Sequence, residues 1–355
     1  MTPTIPVRWE QGAWLVAAAG LLISALGWVL DPAGFAGGWL SGFVLVSAWP
    51  LGSLALLLVH ALTGGRWGEA LRPALLLGVC AMPLLLPALL PLLFTLPLLY
   101  EWARPGAALD NAFYLNVPFF AVRGVVYLLA WFGLAACVLG GLTSRVAAPG
   151  LFVLAVTVTF AAIDTTLSLD PHFSSSIYGM IAASGAALLS LAVAVLLRGA
   201  AAPEAQRADL GRLLLALVVL WLYLDFMQLL IVWQSDLADE APWYLARSRG
   251  FWGGVRIAVV LAHFLLPFAL LLSPRMQRST PAVLGVAGVL VAAEILRAWW
   301  TVLPGLGRGI GWIDLASMAG LAGAALGSAG WVARRPAVAS RLDRLREEQA
   351  GVQHA

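Results

Sequence analysis

Residues 210–234 read LGRLLLALVVLWLYLDFMQLLIVWQ, and only Arg212 and Asp225 in that stretch are charged. A helix that crosses a bilayer needs about 20 mostly apolar residues. This segment meets that length with almost no polar interruption, so it reads as a spanning helix. The same signature recurs outward from it in both directions, near residues 14–30, 38–62, 73–99, 118–140, 148–166, 176–198, 251–273, 281–303 and 311–333. With residues 210–234 these make ten spans. The chain therefore reads as an all-α polytopic membrane protein whose helices pack as bundles.

Composition agrees. Of 355 residues, 61% are hydrophobic and 11% charged, with a mean hydropathy of +0.91. A soluble domain carries about 25% charged residues, so lipid is the solvent for most of this chain. The breaks between spans are chemically sensible turn signals: Asp31-Pro32, Thr63-Gly64-Gly65, Pro105-Gly106, Pro149-Gly150, Pro203, Pro242, Pro274 and the glycines from Gly305 to Gly311. The third span is unusual because Pro83, Pro87, Pro91 and Pro97 recur inside it. Such spacing kinks a helix, and the expectation is one bent span, with a re-entrant pair as the alternative. The first apolar run follows Arg8 without a small-residue cleavage site and reads as a retained helix.

Arginine placement orients the spans, and the chain contains no lysine. With the N-terminus inside, fourteen arginines fall in cytoplasmic segments and six on the opposite side. The positive-inside rule then puts both termini in the cytoplasm. Residues 1–333 form one membrane domain and residues 334–355 a charged cytoplasmic tail. Arg341, Arg344, Glu347 and Glu348 fall at helical spacing there, which favours a solvated helix over a docking role. Trp243, Trp252, Trp299, Trp300 and Trp312 lie near outer span ends and read as an aromatic belt.

Polar groups inside the spans carry any chemistry, because ionisable side chains at bilayer depth are expensive. The first cluster is AAIDTTLSLDPHFSSSIYG, residues 161–179, with Asp164, Ser168, Asp170 and His172. Asp164 and Ser168 share a helix face at i,i+4. Asp170 is either a cap for the following helix or a proton-accepting carboxylate beside His172. Arg123 is either an interfacial snorkelling residue or a partner for Asp164 or Asp170. The second cluster is Asp225 with Gln228, read as a helix-packing hydrogen bond or a proton-relay step. The third is Glu294 with Arg297 at i,i+3, a candidate structural ion pair. His263 stands alone and reads as a hydrogen-bonded core residue. His60 and His263 do not pair at equal depth, which argues against a haem held by two histidines. Cys80 and Cys137 are isolated, so structural zinc and iron–sulfur ligation are not expected. Spread arginines argue against a nucleic-acid surface.

Three segments in order resemble a known family. They are LNVPFFAVRGVVYLLAW (residues 115–131), FAAIDTTLSLDPHFSSSIYGM (residues 160–180), and a third running from DFMQLLIVWQSDLADEAPWYLARSRGFW (residues 225–252) through LAHFLLPFALLLSP (residues 261–274) to EILRAWW (residues 294–300). Together they resemble the ActF subunit of bacterial alternative complex III, a quinol:cytochrome c oxidoreductase, which is related to NrfD-like membrane subunits. Phe173 stands where that family often has tryptophan. The resemblance covers about residues 110–320. It implies an NrfD-like ten-helix subunit of the bacterial inner membrane with no cofactor of its own. Haem c, iron–sulfur clusters and quinol belong to its partner subunits. It further implies a polar proton path, whose candidate residues here are Asp164, Ser168, Asp170, His172, Asp225, Gln228, His263 and Glu294.

Three functions follow as expectations. The first is a scaffolding subunit of a respiratory electron-transport complex, with membrane and cytochrome subunits as partners, proton translocation as its chemistry, and quinone contact left open. The second is a stand-alone transporter of an ion or small solute, which ten helices with buried carboxylates suit equally on physical grounds. The third, a membrane enzyme on lipid-linked substrates, lacks an obvious nucleophile or metal constellation.

Overall fold

A computed structural model of the chain describes residues 7–106 and 111–343. Across these the protein is 87% helical and has no strand. The helices are α1 (Val7–Leu30), α2 (Pro32–Thr63), α3 (Arg66–Cys80), α4 (Leu85–Leu99), α5 (Val117–Gly141), α6 (Ser144–Thr165), α7 (Tyr178–Arg198), α8 (Glu204–Gln234), the short α9 (Ala241–Ser248), α10 (Gly250–Val259), α11 (Leu266–Leu271), the short α12 (Pro274–Arg278), α13 (Thr280–Val302) and α14 (Trp312–Ala333). They compose ten helical spans long and apolar enough to cross a bilayer among the described residues, with α3 joined to α4 and α10 to α11. The protein is a multi-pass, all-α membrane protein.

Local sequence explains where α2 begins. Asp31 accepts a hydrogen bond from Gly34 N at 2.8 Å, and Pro32 occupies the first turn, where its missing N–H is not needed. At 1.5 Å per residue, the 32 residues of α2 run about 48 Å. It is the axis of the fold, packed on α1, α3, α4, α6, α7, α13 and α14. Small residues allow the tight crossings. A Cβ at Gly52 would fall 1.9 Å from the Ala186 carbonyl oxygen, so α2 and α7 touch backbone to backbone. A Cβ at Gly20 would fall 2.5 Å from Gly320 N, so α1 and α14 do the same. The outer faces of α1, α5 and α6 expose large apolar side chains such as Leu22, Leu129 and Phe152 to lipid.

Contacts between loops verify the alternation of the spans. At one end Arg66 bonds Asp209 at 3.1 Å, Arg207 donates to the Arg278 carbonyl, and Glu10 pairs with Arg334. At the other end Arg308 bonds Asp31 at 3.2 Å, and Tyr100 donates to the Thr165 carbonyl at 2.8 Å. The proline-rich third segment starts at the first end (Arg66) and finishes at the second (Tyr100), so it is one bent span and not a re-entrant pair. The bend is a 3₁₀ turn at Met82–Leu84 containing Pro83. Beyond it, Trp39 Nε1 reaches across from α2 to the Ala88 carbonyl at 2.8 Å. The eighth span is not a plain α-helix either. Pro267 lacks an N–H and leaves the His263 carbonyl without its usual donor, and the ladder widens to a π-helix over Val260–Leu265.

One expectation is corrected. Trp243, Trp252 and Trp299 are buried inside the bundle, so they form no aromatic belt; Trp252 Nε1 donates instead to the Arg308 carbonyl at 2.8 Å. Trp312 is exposed, as are Trp9, Trp233 and Trp331. The start of the tail is helical, with one side chain buried against the bundle. Residues 336–343 are helical, with Leu342 only 2% exposed and Val338 half-buried against the core, which removes apolar surface from water. Arg344, Glu347, Glu348 and His354 lie outside the described residues.

Candidate functional site

A cavity of about 280 Å³ opens among α2, α4, α5, α6, α7, α8, α9 and α13. Leucine and valine side chains of α4 and α5 form its apolar wall. Asp225, Gln228, Arg297, Tyr178 and Thr166 form a polar one, and Asp164 with Tyr127 borders a third side. Polar groups scattered over a hundred residues of sequence thus face one space.

Asp164 ends α6 and is 2% exposed. Arg123 grips both its carboxylate oxygens, Nε to Oδ2 at 2.8 Å and Nη2 to Oδ1 at 2.9 Å. Tyr127 Oη donates a third bond to Oδ2 at 2.8 Å. Residues 123 and 127 stack one turn apart on α5, so both reach the same carboxylate. Arg123 also donates to the Tyr114 carbonyl and lies over the Tyr114 ring at 3.9 Å. Of the alternatives left open by the sequence, Arg123 takes Asp164 as partner and does not snorkel. Ser168 donates to the Asp164 backbone carbonyl at 2.6 Å, closing the end of the helix and leaving the carboxylate to its other partners.

Asp170 and His172 are elsewhere. Asp170 accepts from its neighbour His172 N at 3.2 Å in a local turn, and His172 is exposed. Asp170 does not cap the following helix: α7 begins after Ile177 with no side-chain cap. Neither residue borders the cavity.

Asp225 and Gln228, one turn apart on α8, both border it. Ser175 Oγ donates to Gln228 Oε1, which ties the 170s loop to α8. Asp225 is half-buried, and its carboxylate has no hydrogen-bond partner among the described residues. Asp225 therefore differs in kind from Asp164, whose oxygens carry three donors.

Glu294 and Arg297 form the ion pair expected from their spacing, with Arg297 Nε and Nη2 each 2.7 Å from Oε2. The pair is also joined to His263, whose Nε2 lies 2.7 Å from Glu294 Oε1. His263 is fully buried on the π-helix against Trp221, with ring centroids 3.8 Å apart, and its Nδ1 has no partner among the described residues. Gly185 on α7 makes room for this group: a Cβ there would fall 2.8 Å from Arg297 Nη2. Arg297 itself borders the cavity. The connected order is therefore cavity, Arg297, Glu294, His263.

Several participants had no sequence signal of their own. Tyr127 looked like one aromatic among many. Arg247 looked like a loop arginine, yet it is 1% exposed, one turn beyond Trp243, which lines the cavity. Its guanidinium lies 3.2 Å from the Trp243 ring centroid and donates to the Trp243 and Thr301 carbonyls at 3.0 and 2.7 Å. Burial without a bonded carboxylate pushes its pKa down to about 10, which leaves it charged at neutral pH. Asp314 is another case. Its Oδ2 accepts from Gly311 N at 2.7 Å, while its buried Oδ1 is unpartnered among the described residues.

Among the described residues no group of three or more His, Cys, Asp or Glu side chains is placed to hold a metal ion. The chain matches no family model and no curated protein.

Proposed function

We propose that this chain is a membrane subunit of a quinol:cytochrome c oxidoreductase of the alternative complex III type, and that it exchanges protons at the Asp225 cavity. In this reading it lies in a bacterial inner membrane with both termini in the cytoplasm. Haem c, iron–sulfur clusters and the quinol site belong to its membrane and cytochrome partners. The ordered resemblance of residues 115–131, 160–180 and 225–300 to the ActF subunit supports the assignment. The observation that carries the proton chemistry is the Asp225 carboxylate, which faces the cavity without a hydrogen-bond partner among the described residues, beside the Arg297–Glu294–His263 chain. A carboxylate in that position takes and releases a proton without breaking a structural bond. Asp164 is already committed to Arg123 and Tyr127, so it serves this scheme as a fixed charge at the cavity edge.

The test is purification from native membranes in mild detergent, with visible spectra and identification of what co-purifies. Haem absorption from accompanying cytochromes supports the assignment. In such a preparation Asp225→Asn should retain assembly and lose proton coupling by tenfold or more. A colourless, partner-free chain that moves a solute in proteoliposomes refutes it in favour of the transporter reading. That reading draws on the same cavity, where Asp225 and Arg297 present opposite charges to one space.

A further inference from the structure

Three of the residues that border the Asp225 cavity are exposed: Leu86 and Leu90 on α4, and Val125 on α5, at 51%, 48% and 56%. All three are apolar, and α4 packs on α5. Val125 lies eight residues into α5, about 12 Å along it at 1.5 Å per residue. The hydrocarbon layer is about 30 Å thick, so that depth is inside it. The polar residues of the cavity, Asp225, Gln228, Arg297 and Tyr178, are buried or half-buried. On the loop side the cavity is bordered by Phe173 and Trp243, both buried, with rings stacked at 4.8 Å. The cavity therefore opens sideways to the bilayer between α4 and α5, with its polar groups set back from the mouth.

Gly124 keeps that mouth open. It borders the cavity next to Val125, and a Cβ there would meet nothing nearer than Leu89 Cδ2 at 3.7 Å. Gly52 and Gly20 let two backbones touch, whereas Gly124 stands beside free space. Leu89, Leu93 and Leu128 continue the apolar wall inward from it, a lining that suits an apolar body.

The polar wall selects the head of the occupant. Asp225 offers an acceptor with no bonded donor among the described residues. Arg297 turns Nε and Nη2 to Glu294, and a guanidinium carries five N–H donors, so donors remain for the cavity. A cationic head is repelled by Arg297 and an anionic one by Asp225. A neutral hydroxyl donates to the carboxylate and accepts from the guanidinium. We propose that the cavity takes a lipophilic molecule with a neutral hydroxyl head, which enters from the bilayer between α4 and α5. This deepens the proton-exchange reading and rests on it for what the head does at Asp225.

The experiment uses the full-length protein, or its complex, in phosphatidylcholine vesicles with dodecanol that carries a photoactivatable diazirine. Adducts are mapped by mass spectrometry as the probe fraction rises. Labelling of Leu89 and Leu128 should saturate, while labelling of lipid-facing Leu129 should rise linearly. Unlabelled dodecanol should compete; dodecane, dodecylamine and dodecanoate should not. Asp225→Leu should raise the half-saturating fraction about tenfold, the loss of one hydrogen bond to a charged acceptor. Gly124→Phe fills the mouth and should remove the saturable labelling. Val126→Phe adds the same ring at an exposed position outside the cavity lining and should change nothing. Linear labelling at Leu89 and Leu128 overturns the proposal, as does saturable labelling that both Asp225→Leu and Gly124→Phe leave intact, or an equal loss in Val126→Phe. Equal competition by dodecylamine or dodecanoate overturns the neutral head. The readout is independent of partners: saturable labelling of a colourless, partner-free chain supports this site while the respiratory-subunit reading fails, and linear labelling of a haem-containing preparation does the reverse.

Discussion

Replacing Asp164 with asparagine isolates the Arg123 guanidinium, and the structure sets the size of the effect. The wild-type carboxylate accepts three bonds, two from Arg123 and one from Tyr127, at 2.8 to 2.9 Å. Asparagine keeps the shape but offers one acceptor oxygen, and its amide nitrogen meets a donor of Arg123. Arg123 is 8% exposed, so water cannot replace the lost charge. Breaking one side of a buried pair typically destabilises by ~3–5 kcal/mol. The Tyr114 carbonyl and ring contacts of Arg123 remain, which places the expected loss at the lower end, about 3 kcal/mol. The assay is reversible unfolding by SDS titration in mixed micelles, followed by intrinsic tryptophan fluorescence. The comparison is a combined variant, Arg123→Met with Tyr127→Phe and Asp164→Leu, which removes every polar member at once. Replacing a whole buried ionic group by apolar residues is often close to neutral, so the combined variant should be more stable than Asp164→Asn. If it is less stable by the sum of the single losses, the three residues do not act as a coupled unit and the reasoning fails.

Tyr127→Phe alone removes one bond to a charged acceptor and should cost about 1.5–3 kcal/mol in the same titration. Gly52→Ala should exceed the usual ~1–3 kcal/mol of overpacking, because its Cβ would meet the Ala186 backbone oxygen at 1.9 Å and the two helices must part; a normal unfolding midpoint would contradict that contact. Gly185→Ala presses on the flexible end of Arg297, so its stability loss should stay within about 1–3 kcal/mol; under the proposed function, proton coupling should fall with the displaced Arg297–Glu294 pair. Arg247→Lys should lose the stack on Trp243 and one of two carbonyl bonds, about 1–3 kcal/mol by unfolding, whereas an unchanged midpoint would mean that the guanidinium shape is not used.

The ten spans were written in the sequence because lipid allows only one local solution. Each run of about 20 apolar residues must satisfy its backbone internally, and a helix does so without help from the rest of the chain. The i,i+3 pair of Glu294 and Arg297 was legible for the same reason, since helical spacing alone places the two groups together. Ionisable groups inside apolar runs singled out Asp164, Asp225 and His263 as residues of interest, yet the sequence did not distinguish their surroundings. Which partner each residue takes depends on contacts between distant segments. Arg123 reaches Asp164 because α5 packs on α6, and His263 reaches Glu294 because the π-helix at Pro267 lies against α13. Asp225 keeps its carboxylate open because nothing across the cavity approaches it. Hydropathy has no term for such pairings, so it also misread buried Trp243 and Trp252 as a lipid-facing belt. The sequence by itself determined how many spans form and roughly where they lie, because those are local properties of the chain in lipid. Only the tertiary structure decided which polar groups are bonded, which stay open and what space they share, because each of those depends on several helices meeting at one depth.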